Sequence, residues 1–221
     1  MPVQSIEGVT LVGGGQLTLP DLAAALIHAP VLVAADGGAN NLMEWGHLPD
    51  RVIGDIDSLD SAWHSQLEGR IERIAEQDST DFDKCLARIR APFVLALGFD
   101  GARLDHTLAA MSTLARHGSA RVILKAQADI CFLAPPFLEL TLPEHARVSL
   151  FPMAQVAGRS EGLHWPIDGL QFAPHAVIGT SNRALGGRMS LKFERPGMLV
   201  LLERRYLAPV IKAVQSMPDW R

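Results

Sequence analysis

The sequence predicts an α/β fold followed by an all-β part. Apolar runs alternate with helical patterns up to Leu124, glycines and acids collect where those runs end, and the helix signals stop near Pro135-Pro136. Strands alternating with helices of this length call for a mostly parallel, helix-covered sheet, Rossmann-like in layout.

Taken in order, Val9-Val12 reads as a strand closed by Gly13-Gly14-Gly15, and Leu22, Leu26 and Ile27 give the next helix its apolar face. Val31-Ala35 is a second strand, broken by Asp36-Gly37-Gly38 before a helix through Leu42-Trp45. Val52-Ile53 is the third, with a helix expected across Ala62-Leu67. Ile71-Ala75 precedes a helix marked by Phe82, Leu86 and Ile89. Phe93-Leu97 precedes another marked by Leu104, Leu108, Met111 and Leu114, and Val122-Leu124 closes the series. Beyond Pro136 the runs Phe137-Leu142, Arg147-Phe151, Val177-Ile178, Met189-Phe193 and Met198-Leu202 are short and separated by glycine and proline. They predict an antiparallel sandwich or small barrel with no helix. The expected domains are 1–133 and 134–221.

Composition narrows the function classes. The 221 residues are 48% hydrophobic with a net charge of -4, so nothing marks a nucleic-acid binder. No apolar run approaches the roughly 18 residues that cross a bilayer. The first ten residues lack a signal-peptide pattern. Cys85 and Cys131 have no metal-ligand spacing and read as packing residues of a reducing, cytoplasmic compartment.

Five polar clusters fall at predicted strand ends, where open α/β sheets bind ligands. Gly13-Gly14-Gly15 lets a backbone approach phosphate, without the lysine of a Walker loop. Asp36-Gly37-Gly38-Ala39-Asn40 exposes N–H groups before a helix and an acid that can accept from a hydroxyl; an Asp-Gly turn with a helix cap is the equal alternative. Gly54-Asp55-Ile56-Asp57-Ser58 sets two carboxylates two residues apart, which repel unless a cation such as Mg2+ lies between them.

Asp78-Ser79-Thr80-Asp81-Phe82-Asp83-Lys84 is a capped helix start. Its Lys84 opposes the dipole and shares a face with Thr80, so it suits a transferring phosphoryl group. Gly98 to His106 brings Arg103, a fork for phosphate oxygens, with Asp105 beside it; an Arg-Asp pair holding the loop is the rival reading. Together the acids, one lysine and one arginine describe a Mg-nucleotide phosphoryl-transfer site. In the second part, Gly179-Thr180-Ser181-Asn182-Arg183 reads as a hairpin turn, and Trp165 as either core or a surface for stacking.

In this order the motifs resemble the thiamin pyrophosphokinase (thiamine diphosphokinase) family over nearly the whole chain. Asp36 to Asn40 is similar to its Asp-Gly-Gly-Ala-Asn, and Gly54 to Ser58 to its Gly-Asp-Phe-Asp-Ser, with Ile56 for Phe. Asp78 to Lys84 resembles Asp-x-Thr-Asp-x-x-Lys, Gly98 to His106 resembles Gly-x-x-Gly-x-Arg-x-Asp-His, and Gly179 to Asn182 resembles Gly-x-Ser-Asn. Arg183 replaces a frequent acid, and Ala184 to Gly187 is unusually small.

The resemblance implies an ATP-binding α/β domain, a thiamin-binding β-sandwich and a homodimer. It implies transfer of a diphosphoryl group from ATP to thiamin with release of AMP. It places Mg2+ on Asp55, Asp57 and Asp81, and ATP on Gly14, Asp36, Gly37, Gly38 and Asn40. Asp78, Thr80, Gly98, Arg103 and His106 complete the ATP contacts, while Asp57, Ser181 and Asn182 take thiamin. Lys84 and Arg103 offset charge, and one of Asp55, Asp57, Asp81 and Asp105 is the expected base. The rivals are a Mg-dependent kinase or nucleotidyl transferase for another alcohol, such as a pterin, and a non-enzymatic thiamin- or nucleotide-binding protein.

Overall fold

The computed structural model describes every residue except Met1, Ala102, Met217, Asp219 and Arg221, so Ala102 of the fifth cluster lies outside the described residues. Backbone packing divides the chain into two compact units, Met1–Thr113 and Leu114–Arg221.

In the first unit, β1 (Val3–Gln4) pairs in parallel with β6 (Ile89–Arg90). The main strands are β2 (Val9–Val12), β3 (Val31–Ala35), β4 (Arg51–Gly54), β5 (Ile71–Arg73) and β7 (Val94–Leu97). They lie in the order β7-β2-β3-β4-β5, every pairing parallel. Strands this uniformly buried need apolar cover, which the helices provide. The first, α1 (Leu19–His28), starts where Thr18 accepts from the Asp21 N–H and proline occupies the first turn. Leu22 of α1 and Leu42 of α2 (Gly38–Glu44) pack with Val12, Leu32, Ala34 and Val52 in one core. The remaining helices are α3 (Asp81–Leu86) and α4 (Leu104–Arg116).

Two expectations fail here. The segment expected as a helix across Ala62-Leu67 forms only a 3-10 turn, Ser61–Trp63, started by Asp60 accepting from the Ala62 N–H. The α3 helix ends at Leu86, and Ile89 leaves its expected stripe to pair in β6 with β1.

In the second unit, β8 (Val122–Lys125), β9 (Asp129–Leu133), β10 (Phe137–Pro152), β11 (Val156–Glu161), β12 (Gln171–Phe172), β13 (Gly179–Phe193) and β14 (Met198–Glu203) pair antiparallel throughout. Because β8 pairs with β9, it belongs to this unit, and the division falls before the boundary expected at 133. As a whole the fold is mixed α/β with a large sheet, its pairings parallel in the first unit and antiparallel in the second.

Phe137-Leu142 and Arg147-Phe151 are one strand, not two. A register shift between Glu144 and Arg147, with His145 at φ 67°, absorbs the irregular stretch as a bulge. Gly179 to Arg183 is the start of β13 rather than a hairpin turn. A helix also appears where none was expected: α5 (Leu207–Ser216) packs on β10 through its buried residues Leu207, Val210, Ile211 and Val214.

Candidate active site

The site lies at the carboxyl ends of the parallel strands, in a cleft of about 900 Å3 within the first unit. Its walls include Gly14, Asp36, Gly37, Asn40, Asp55, Thr80, Asp81, Lys84, Gly98, Arg103 and His106. Eleven of the expected residues thus come together. Gly38, Asp57, Asp78 and Asp105 are not among the wall residues.

Close packing explains the glycines. A Cβ on Gly38 would stand 2.2 Å from the Val12 carbonyl oxygen, so only glycine lets α2 begin against β2. A Cβ on Gly54 would meet the Asp36 Cβ at 2.8 Å and the Asp81 Oδ1 at 3.0 Å. That missing side chain lets Asp36, at the end of β3, and Asp81, at the start of α3, come close over the end of β4. The N–H groups of Gly13 and Gly15 donate to the carbonyls of Leu97 and Gly98, so these two tie the β2 turn to the β7 turn.

Carboxylate oxygens of Asp36, Asp55 and Asp57 lie within 4.8 Å of one another. Asp36 is 5% exposed and accepts from the Ser58 N–H at 3.3 Å. Burial, with Asp81 and Asp57 adding repulsion, raises its pKa against that hydrogen bond. Ile56, between the other two acids, has φ 66°, a costly conformation for a β-branched residue. Its side chain packs on the apolar core, so burial holds the kink.

Lys84 answers part of this charge. It is 3% exposed, and its Nζ lies 3.1 Å from Asp81 and 3.4 Å from Asp55. Burial alone would lower its pKa, but the bonds to Asp81 and Asp55 outweigh it and raise the value. Asp55 is lowered in turn: burial opposes, while the Gln77 amide, the Asp57 N–H and Lys84 together prevail. Lys84 pairs with Asp55 and Asp81, and Asp55 also clusters with Asp36 and Asp57, so the carboxylates outnumber the ammonium and leave a net negative charge fit for a hard cation.

Other expected residues have structural duties. Asn40 donates to the Ser58 carbonyl at 2.8 Å and accepts from the Asp60 N–H, fastening α2 to the acidic loop. Thr80 and Asp83 form a reciprocal capping box, and buried Asp83 also accepts from Thr113 at 3.1 Å. Arg103 and Asp105 do pair, at 2.6 Å, but in the open rather than buried. The arginine keeps the Asp105 carboxyl below the usual carboxylate range. Asp78 is exposed, with its N–H on Glu76.

The sequence reading missed Gln77, which donates to Asp55 at 3.0 Å, and Phe99, which stacks on Phe82 at 4.1 Å between ring centroids. Gln77 adjoins the fourth cluster; that position was its only signal.

In the second unit, Ser181 is exposed at φ 62° and its N–H donates to the Ser149 hydroxyl. Asn182 is buried and exchanges hydrogen bonds with the backbone N–H and carbonyl of Trp165, which is itself exposed.

The fold and cleft define a class: an α/β protein with an acidic cleft where its parallel strands end. A family model described as thiamin pyrophosphokinase, catalytic domain, matches residues 22–124. Thiamine pyrophosphokinase 1 of Oryza sativa subsp. japonica is 28% identical over 191 residues, 70% of this chain and 72% of that protein. Thiamine pyrophosphokinase of Bacillus subtilis is 23% identical over 211 residues, 89% of this chain and 98% of that one. Among solved structures, thiamin pyrophosphokinase from Candida albicans superposes with a TM-score of 0.75 at 17% identity, covering 89% of each chain. The Bacillus subtilis structure gives 0.72 at 21%, covering 89% of this chain and 98% of that one. The matched region and the relatives make most of this chain similar to thiamin pyrophosphokinases.

Proposed function

We propose that the chain transfers the diphosphoryl group of ATP to the hydroxyl of thiamin, giving thiamin diphosphate and AMP. The observation that carries this reading is the cluster of Asp36, Asp55 and Asp57 beside buried Lys84, which itself pairs with Asp55 and Asp81. Binding a nucleotide without reaction would not call for so many carboxylates facing phosphate. The first unit supplies a Rossmann-like ATP-binding part and the second a thiamin-binding sandwich.

Mg2+ would be held by Asp55, Asp57 and Asp81, joined by Asp36, and when bound supplies charge neutralisation at the phosphate oxygens. The surplus of carboxylates over ammonium fits such an ion. Lys84 keeps a full positive charge at the cleft wall, ready to face the charge that builds as the bond to AMP breaks. Arg103 and His106, also on the wall, meet the phosphate chain. The hydroxyl proton goes to one of Asp55, Asp57, Asp81 and Asp105. Much of the rate comes from holding alcohol, β-phosphorus and leaving oxygen in line.

A homodimer is part of the same reading. Leu104 and Leu108, one turn apart on α4 and exposed, offer an apolar stripe for a second copy. A reducing, cytoplasmic setting agrees with Cys85 and Cys131, both buried and outside any disulfide.

The test is AMP release from Mg-ATP with and without thiamin. Thiamin-dependent AMP, with thiamin diphosphate in equal amount, is the expected result. AMP formed only with another alcohol, or tight binding without AMP, would overturn the assignment.

A further inference from the structure

Two helices contribute to the cleft wall: α3 through Asp81, Phe82 and Lys84, and α4 through His106, Ala109 and Ala110. Asp83, in the midst of that α3 turn, is not a wall residue. It is 6% exposed, and its Oδ2 accepts from the Thr80 N–H at 3.3 Å, the Thr80 hydroxyl at 2.7 Å and the Thr113 hydroxyl at 3.1 Å. A capping box closes among its own four residues and asks for no outside donor. Here the third donor comes from α4, so the carboxylate that starts α3 also ties it to α4. Thr113 is fully buried at that tie.

The tie bears on the site because α3 has only six residues, too few to hold a helix by itself in water. Its first turn runs from Thr80, whose carbonyl accepts from the Lys84 N–H at 2.9 Å, so the cap and Lys84 share one turn. Apolar packing would hold α3 against α4 without the cost of burying a carboxylate. Charge-assisted hydrogen bonds add direction. They fix the rotation of the first turn, and with it where Asp81 and Lys84 point. We propose that Asp83, together with Thr113, is a positioning residue for the diphosphoryl transfer, bolting α3 to α4 so that the Lys84 ammonium keeps its place relative to the α4 wall. The proposal rests on the transfer reading above, and neither residue touches substrate.

The test changes Thr113 in two ways in the full chain. Thr113→Val keeps the side-chain shape and removes the hydroxyl, whereas Thr113→Ser keeps the hydroxyl and removes a methyl. Both should lower the melting temperature. Only Thr113→Val should lower kcat for thiamin-dependent AMP release, by roughly tenfold, since in-line transfer loses about a hundredfold for a 1 Å misplacement. Thr113→Ser should keep a kcat near that of the wild type. Mg-ADP binding, read by calorimetry, should weaken several-fold in Thr113→Val and hold in Thr113→Ser. Asp83→Asn keeps an acceptor oxygen and drops its charge, so it should lower kcat in the same direction and serves if Thr113→Val does not fold. In the double variant the loss should be smaller than the product of the two single losses, because both act on one bond. Equal kcat losses in the Val and Ser variants, a full product in the double variant, or lower stability with kcat and Mg-ADP binding unchanged would overturn the positioning role. No AMP from the wild type, with Mg-ADP binding weakened in Thr113→Val alone, would remove the reaction and uphold the bolt.

Discussion

Asp36 shows what single residues contribute and what the sequence reveals of them. The carboxylate is nearly buried and close to Asp55 and Asp57, and burial raises its pKa. A carboxyl whose folded pKa lies above its unfolded value costs stability at neutral pH, where it must ionise in the fold. Asp36→Asn keeps an acceptor for the Ser58 N–H and removes that charge. We expect it to melt higher than the wild type in EDTA, by about 2–4 °C for each kcal/mol recovered. It should also gain less than the wild type on adding Mg2+, because a ligand that binds only the folded form stabilises in proportion to its affinity. Thermal melts of both proteins in EDTA and in MgCl2 check this; a lower melting point for the variant in EDTA would count against it. Asp57→Asn and Asp81→Asn should each lower turnover by well over tenfold with the fold intact, on the scale of losing one transition-state partner. Near-normal turnover in either would remove that residue from the site. The pair Asp55 and Asp57 was legible as Asp-x-Asp. That Asp36 joins them was not, because its distance to them is set by pairing between β3 and β4 and by the absence of a Cβ at Gly54.

The elements divide along the same line, between what neighbours in sequence decide and what distant packing decides. The start of α3 was legible because its cap is local, Thr80 with Asp83. Because Asp81 and Lys84 stand in the first turns of α3, that cap also sets the site. Thr80→Ala should cost about 1 kcal/mol in urea unfolding and raise the ATP KM as Lys84 loses its fixed place. A stability loss with an unchanged KM would confine Thr80 to the fold. For α2 the constraint lies in β2: Gly38→Ala places a Cβ against the Val12 carbonyl, so we expect destabilisation larger than the Thr80→Ala cost, read in the same urea experiment. The continuous β10 was not legible, since Pro143 and the residues after it read as a break. Pro143 lies outside the β14 pairing, which begins at Val148, so it is flanked there by β13 alone, and an unpaired side tolerates a proline. For α5 the signal was present, in Leu207, Val210, Ile211 and Val214 at helical spacing, and the glycine- and proline-rich run before it obscured it.

At the scale of the molecule, each compact unit carries one cysteine, Cys85 in the first and Cys131 in the second, and both are buried and outside any disulfide. Burial raises the Cys85 pKa well above the ordinary thiol value and pushes Cys131 up to about 12. The thiolate is the reactive form, so neither should react with a thiol reagent until its own unit opens. The sign of the pH effect follows from the same shifts. A thiol whose folded pKa exceeds its unfolded value contributes stability that is complete below the unfolded pKa. That contribution is lost as pH rises through the folded pKa, so Cys131 makes stability fall between roughly pH 9 and about 12. Replacing Cys131 with alanine should flatten that part of the alkaline stability curve. Because the cleft lies wholly in the first unit, Mg-ATP should slow labelling of Cys85 in a Cys131→Ser protein far more than labelling of Cys131 in a Cys85→Ser protein. Equal slowing of the two would show a single cooperative opening. Slowing of Cys131 alone would move the nucleotide out of the cleft built by Asp36, Asp55, Asp81 and Lys84.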